Sequence, residues 1–419
     1  MPELETSNEN NMNENMQEKY FNASVIKEQR RKYFSSAMWK LTLSLAILVC
    51  IQIAVAFPIG LFAAIMDSLS MHSNNALMVF YRDINSRGFI TTINNIVSLF
   101  NILIPDCIAL LCFWLFTKKT PNAEKEDGKL NFGLWFAMFI MCFGIGGIGS
   151  LLGMIVNAII TAPATLLGLL IKSFAAVLTS QNIVTDLTYG DGSFAYLLFE
   201  IPITAIFIPI VEELIFRKAL IDKTAKYGYG PAILLSALTF GIFHGNFSQL
   251  FYAFGLGILF AYVYCYTGKV RYSIFMHMGY NFYAAAIIPI ARKMIPVEVL
   301  NTFQEATEQF HIDANAERYL NALSNAVAKH PISIAGIIAV VAAVAFYLVL
   351  IIAGIILMIA FLGKFLRFRK TINLGEKGIK RLAIFNFGSI LFLALGALLF
   401  SIRILADWVM TLYGTIISF

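Results

Sequence analysis

The stretch Pro209-Ile210-Val211-Glu212-Glu213-Leu214-Ile215-Phe216-Arg217 places two carboxylates and a guanidinium inside sequence otherwise apolar enough to lie in a bilayer. Two similar interruptions follow, Phe240-Gly241-Ile242-Phe243-His244 and His277-Met278-Gly279-Tyr280-Asn281. Ionisable groups in hydrocarbon are expensive unless paired or wetted, so clusters of this kind mark a functional site by default. The remainder of the chain reads as scaffold around residues 212 to 281.

Composition supports that view. Of 419 residues, 59% are hydrophobic and only 13% charged, and the mean hydropathy is +0.75. Water-soluble domains are apolar in roughly half of their residues and charged in about a quarter. The chain is therefore expected to be all-α, a polytopic bundle of about eight to nine membrane helices. Its formal net charge of +6 is small for this length, and Lys and Arg fall between apolar runs. They read as topology signals and not as a nucleic-acid surface. The five cysteines Cys50, Cys107, Cys112, Cys142 and Cys265 lie in or beside apolar runs, are odd in number and lack the paired spacing of a zinc site. They read as small buried hydrophobes.

Residues 1–40 are polar and then basic, through Lys27, Arg30, Arg31 and Lys32. They are expected to form a disordered and basic cytoplasmic segment, followed over 41–419 by a single transmembrane domain. Runs long enough to cross a bilayer occur near 41–66, 94–117, 132–160, 194–217, 249–267, 272–290, 333–362 and 383–402, with a shorter one at 231–246. Lysine and arginine groups follow the second, fourth and sixth runs, and the densest, Lys364 to Arg381, follows the eighth. All fall on the side of the N-terminus, which the positive-inside rule makes cytoplasmic in a multi-pass plasma-membrane protein. Residues 163–180, interrupted by Lys172, fit a re-entrant or interfacial helix, because another crossing there would invert the charge pattern. Segment 296–330 has the rough helical period of amphipathic helices.

Glu213 and Arg217 are four residues apart, share a helix face and can pair, whereas Glu212 points about 100° away. Glu213 then neutralises Arg217 and leaves Glu212 facing the cavity as a general base. His244 and His277 lie in membrane-grade runs, unlike His72, His311 and His330. His277 and Asn281 again share a face, and both carry donors suited to a developing oxyanion. The set admits two chemistries for peptide-bond hydrolysis. In one, Glu212 with His244 activates water, and His277 with Asn281 stabilises the tetrahedral intermediate. In the other, Glu212, His244 and His277 bind zinc with a position open for water. No HExxH motif is present.

The three motifs in order, Glu212-Glu213 with Arg217, Phe240 with His244, and His277 with Asn281, resemble those of the CPBP (Abi) family. That group contains the type II CAAX prenyl endopeptidases and bacterial proteins linked to bacteriocin processing or self-immunity. The resemblance covers about residues 194–290. It implies a helical intramembrane endopeptidase with a cavity open to the cytoplasm, the first glutamate as base, and the second histidine with the asparagine as oxyanion ligands. Those roles fall on Glu212, His277 and Asn281, with His244 and Glu213 completing the catalytic set and Arg217 held in a structural ion pair. The implied substrates are peptides or membrane-anchored proteins. The rival classes are a non-catalytic immunity or scaffold protein, and a proton-coupled transporter using the same groups as a relay. A transporter would more often show two similar halves, and no such repeat is evident.

Overall fold

The computed structural model describes residues 127–170, 201–225, 228–296 and 316–371 without a break, together with parts of 24–50, 103–122, 198–199, 298–302 and 390–402. No strand occurs among the described residues, so the all-helical expectation holds. Among the described residues, four stretches are long and apolar enough to cross a membrane: Phe132–Asn157, Phe247–Thr267, Arg271–Lys293 and Ile332–Gly363. Each matches an apolar run read from the sequence. Most of the run 41–66, parts of 94–117, the segment 171–193, and the residues Asp106, Lys172 and Glu200 lie outside the described residues.

Helix α1, Phe132–Leu170, is 39 residues long. It passes through Pro163 and continues over the first part of the segment expected to be a separate re-entrant helix. A single proline removes one backbone hydrogen bond, and Leu166 to Leu170 carry the apolar helix beyond it. The next rod is composite: a π turn Ile203–Phe207, α2 (Ile208–Glu213), a second π turn Leu214–Ala219, and α3 (Leu220–Thr224). Helix α4, Tyr229–Phe243, has 15 residues, about 22 Å of rise at 1.5 Å per residue. That is short of a hydrocarbon core of about 30 Å, so α4 ends inside the bundle, as the short run 231–246 implied.

A tight joint turns α4 into α5, Phe247–Thr267. Gly245 there has φ 67°, and the Asn246 side chain accepts from the Gln249 N–H at 2.9 Å to cap the new helix. At its far end α5 closes on Gly268, φ 65°, whose N–H donates to the Tyr264 carbonyl at 2.8 Å. Helix α6 (Arg271–Phe282), a third π turn (Tyr283–Ile287) and α7 (Ile288–Lys293) form the next rod. Helix α8, Ala316–Lys329, partly buries Leu323 and Val327 and buries Ala326, the stripe expected of an amphipathic segment, but leaves Leu320, expected on the same stripe, exposed. Helix α9 runs from Ile332 to Thr371.

The core lies where α5 packs between α1 and α4, with α9 on the outer side of α1. Cys142, Leu256, Phe260, Val263 and Met276 are buried together there. Cys142 and Cys265 thus behave as the small core hydrophobes expected, while Cys50 and Cys107 are exposed. None of the five is disulfide-bonded.

Helices α1 and α9 touch backbone to backbone at Gly144 and Gly354. A Cβ on Gly144 would stand 2.6 Å from the Gly354 carbonyl carbon and the Ile355 nitrogen. Membrane helices associate through such close approaches because the surrounding lipid supplies no hydrophobic drive. Gly144→Val is therefore expected to cost about 1–3 kcal/mol by forcing the pair apart. Loss of resistance to SDS-induced unfolding checks this, and an unchanged unfolding midpoint would show that α9 is not held through this contact.

Two of the three π turns among the described residues have a readable cause. Pro209 and Pro289 each occupy the first or second position of the α segment that follows one, in the repeated word Ile-Pro-Ile. Proline has no N–H, and its ring crowds the carbonyl four residues back, so the preceding turn opens to the wider spacing. Opening a turn also redirects its carbonyls, and those of Thr204 and Phe216 each accept a hydrogen bond from a neighbouring rod.

Candidate active site

Glu212 and Glu213 sit on the last turn of α2, and Arg217 on the π turn after it. Their relative exposures are 6%, 0% and 0%, so three formal charges lie inside the bundle. Arg217 Nε stands 3.3 Å from Glu213 Oε2, as the four-residue spacing implied. That contact is an ion pair outside hydrogen-bond geometry, and among the described residues no hydrogen-bond acceptor meets any of the three guanidinium nitrogens. Aromatic rings flank them: the guanidinium carbon lies 4.2 Å from the Phe240 centroid and 5.4 Å from that of Phe260. A desolvated cation against such faces gains on the order of 1–2 kcal/mol. The ring of Phe240 is positioned by its own helix. One turn earlier on α4, the buried Ser236 hydroxyl donates to the Phe216 carbonyl at 2.8 Å, a carbonyl redirected by the π turn.

His277 reaches the cluster from α6. Its Nδ1 lies 3.2 Å from Glu213 Oε1 and its Nε2 3.6 Å from Glu212 Oε2. A carboxylate only accepts, so Nδ1 carries the proton donated to Glu213 and Nε2 faces Glu212. The 3.6 Å gap is longer than a direct hydrogen bond. The imidazole is boxed by Phe240, edge-on at 5.7 Å, and by Phe260 at 5.3 Å. Ser273, one turn before His277, also bears on the Glu213 carboxylate.

His244 caps the end of α4. Its Nδ1 donates to the Phe240 carbonyl at 2.8 Å, and its ring stands edge-on to Phe240 at 4.9 Å. Phe240 is thus the plate shared by Arg217, His244 and His277. The Asn246 amide donates to the His244 carbonyl at 2.9 Å, which ties the catalytic-looking turn to the α5 cap. Asn281, one turn beyond His277, donates through Nδ2 to the Thr204 carbonyl at 3.1 Å. Thr204 lies in the first π turn, so this is the second redirected carbonyl in use.

The structure therefore unites Glu212, Glu213, Arg217 and His277 in one chain of polar contacts, joins His244 to them through Phe240, and anchors Asn281 to a neighbouring rod. Sequence reasoning missed that His277 bridges both glutamates, and it missed Phe260, Ser236, Ser273 and the Thr204 carbonyl. The two Ile-Pro-Ile words are the sequence signal from which two of the π turns could have been found. Among the described residues no three His, Cys, Asp or Glu side chains are grouped to hold one metal ion. Glu212, His244 and His277 are not grouped as three donors to one ion in this arrangement.

Comparisons with known proteins fall on the same segment. Residues 194–283 match the family model described as type II CAAX prenyl endopeptidase, Rce1-like. The chain is 36% identical over 83 residues to a Bacillus subtilis (strain 168) protein named "Putative membrane peptidase YdiL". That alignment covers 19% of this chain and 33% of the Bacillus protein, a third of its length. No solved structure matches. The part of this chain that carries its buried polar cluster is thus similar to the Rce1-like type II CAAX prenyl endopeptidases, the group its three motifs resemble.

Proposed function

We propose that the chain is a membrane-embedded endopeptidase that hydrolyses a peptide bond of a membrane-associated peptide or protein. The observation that carries this reading is the bridge Glu212–His277–Glu213–Arg217, buried in the helix bundle within the matched segment. In this reading the Glu212 carboxylate takes a proton from water while the water oxygen bonds to the scissile carbonyl carbon. His244, whose Nδ1–H is committed to Phe240, accepts from the same water through Nε2 and orients it. The proton moves from Glu212 to His277 Nε2, and the resulting N–H supports the oxyanion beside the second N–H of the Asn281 amide. Collapse of the intermediate breaks the C–N bond, and the proton leaves with the amine. Glu213 and Arg217 hold the imidazole in its tautomer and do not touch substrate. Each step uses groups of this chain.

The test is cleavage of a panel of membrane-tethered and prenylated peptides by purified protein, wild type beside His277→Ala, with and without a chelator. Wild-type cleavage that falls at least about 100-fold in the variant supports the proposal. Activity that survives chelation assigns water activation to the glutamate, and activity lost to a chelator and restored by zinc assigns it to a metal. A wild type that cleaves nothing, in a host whose bacteriocin sensitivity is the same with either form, overturns the enzyme reading in favour of a scaffold.

A further inference from the structure

A second site lies on the other face of the same rod. A cavity of about 650 Å³ opens between the helix that ends at Thr117 and the stretch Leu214 to Lys223. That volume is within the range of roughly 300–1,000 Å³ typical of ligand pockets. Its walls are apolar, with Leu110, Trp114 and Leu214 among them, and its rim carries Lys118, Lys218 and Lys223. Lys118 Nζ stands 5.7 Å above the Trp114 ring, the pairing of aromatic ring and ammonium found where hydrocarbon meets headgroups. The lone carboxylate at the cavity, Asp222, accepts from the Tyr264 hydroxyl at 2.5 Å and is 7% exposed, so it is committed to the core. Lys223 donates to the Asn122 side chain at 2.6 Å, which holds its ammonium at the rim. Partial burial lowers the pKa of Lys223, with Asp222 opposing.

An oily slot that also carries three ammonium groups in its lining is complementary to an amphiphile with an anionic head. We propose that this cavity binds an anionic phospholipid, its phosphate among Lys118, Lys218 and Lys223 and its upper acyl chain against Leu110, Trp114 and Leu214. Free phosphate would use the same lysines but leave the apolar walls unfilled, so the hydrocarbon part decides for lipid. The lysine groups that follow the apolar runs lie on the side that the positive-inside rule assigns to the cytoplasm, where anionic lipid is available. The bound lipid would brace the rod carrying Glu212 and Arg217 from behind.

The experiment is thermal unfolding of the purified full-length protein in detergent, titrated with phosphatidylglycerol, with phosphatidylcholine of the same chains, and with inorganic phosphate. Phosphatidylglycerol is expected to raise the unfolding temperature at concentrations where the other two do not. Lys118→Gln, Lys218→Gln and Lys223→Gln should each weaken that response roughly fivefold, and the control Lys129→Gln should leave it unchanged. Leu110→Trp, which fills the slot and keeps every charge, should abolish it, and it serves as the readout if a lysine variant does not fold. Equal responses to both lipids, a response reproduced by inorganic phosphate, or a preference that survives both the lysine and the Leu110 changes would each overturn the proposal.

Discussion

Replacing Arg217 by methionine is expected to lower stability by about 3–5 kcal/mol, the largest single effect in this protein. The change keeps an unbranched apolar stem against Phe240 and Phe260 but strands the Glu213 carboxylate, which is fully buried, with only His277 and Ser273 beside it. A buried charge without its partner costs more than the intact pair contributes, because the desolvation penalty remains and the attraction is gone. The double variant Glu213→Gln with Arg217→Met removes both charges and should recover most of the loss. Unfolding midpoints in a single detergent, measured for the two single variants and the double, close the cycle. A loss below about 1 kcal/mol in Arg217→Met would mean that the aromatic faces, and not the ion pair, hold this helix.

Glu212→Gln is expected to reduce peptide cleavage by about 10²–10⁴-fold, the usual contribution of a positioned general base, with an unchanged unfolding midpoint. The amide preserves the shape of the side chain and cannot accept a proton at neutral pH. Glu212 lies 3.6 Å from His277, while the 3.3 Å contact to Arg217 is made by Glu213, so Glu212→Gln keeps that pair and the shape of the side chain. Glu213→Gln makes the contrast, since it disturbs both the arginine and the imidazole and should lose stability and activity together. Comparing the two by cleavage rate and by unfolding separates the roles. Full activity in Glu212→Gln beside an inactive but stable Glu213→Gln would exchange the assignments.

Neither variant is expected to mimic a defect of the lipid cavity. Lys218 is adjacent to Arg217 in sequence but exposed, whereas Arg217 is buried against two rings. The π turn Leu214–Ala219 places the two cations in opposite environments, one in the polar cluster and one at the cavity rim. A loss of phosphatidylglycerol response with unchanged cleavage would show that the two faces of the rod act independently.

What the sequence determined by itself is what depends on short range. Apolar run lengths set the helices, because a span is a matter of rise per residue and solvent. The spacing of Glu213 and Arg217 set their pairing, because four residues return to one helix face. The short run 231–246 set a helix that stops at His244. Tertiary structure decided what depends on how rods cross. Two glutamates meet one imidazole because α6 lays His277 beside the end of α2, and residues 64 positions apart cannot announce this by spacing. Asn281 turns to Thr204 because a proline-opened turn on the neighbouring rod offers it a carbonyl. Phe240 serves Arg217, His244 and His277 at once because Ser236 locks α4 against the π turn. A sequence carries the residues that such contacts need, but the contacts arise only when packed helices give each buried polar group a single place to be satisfied.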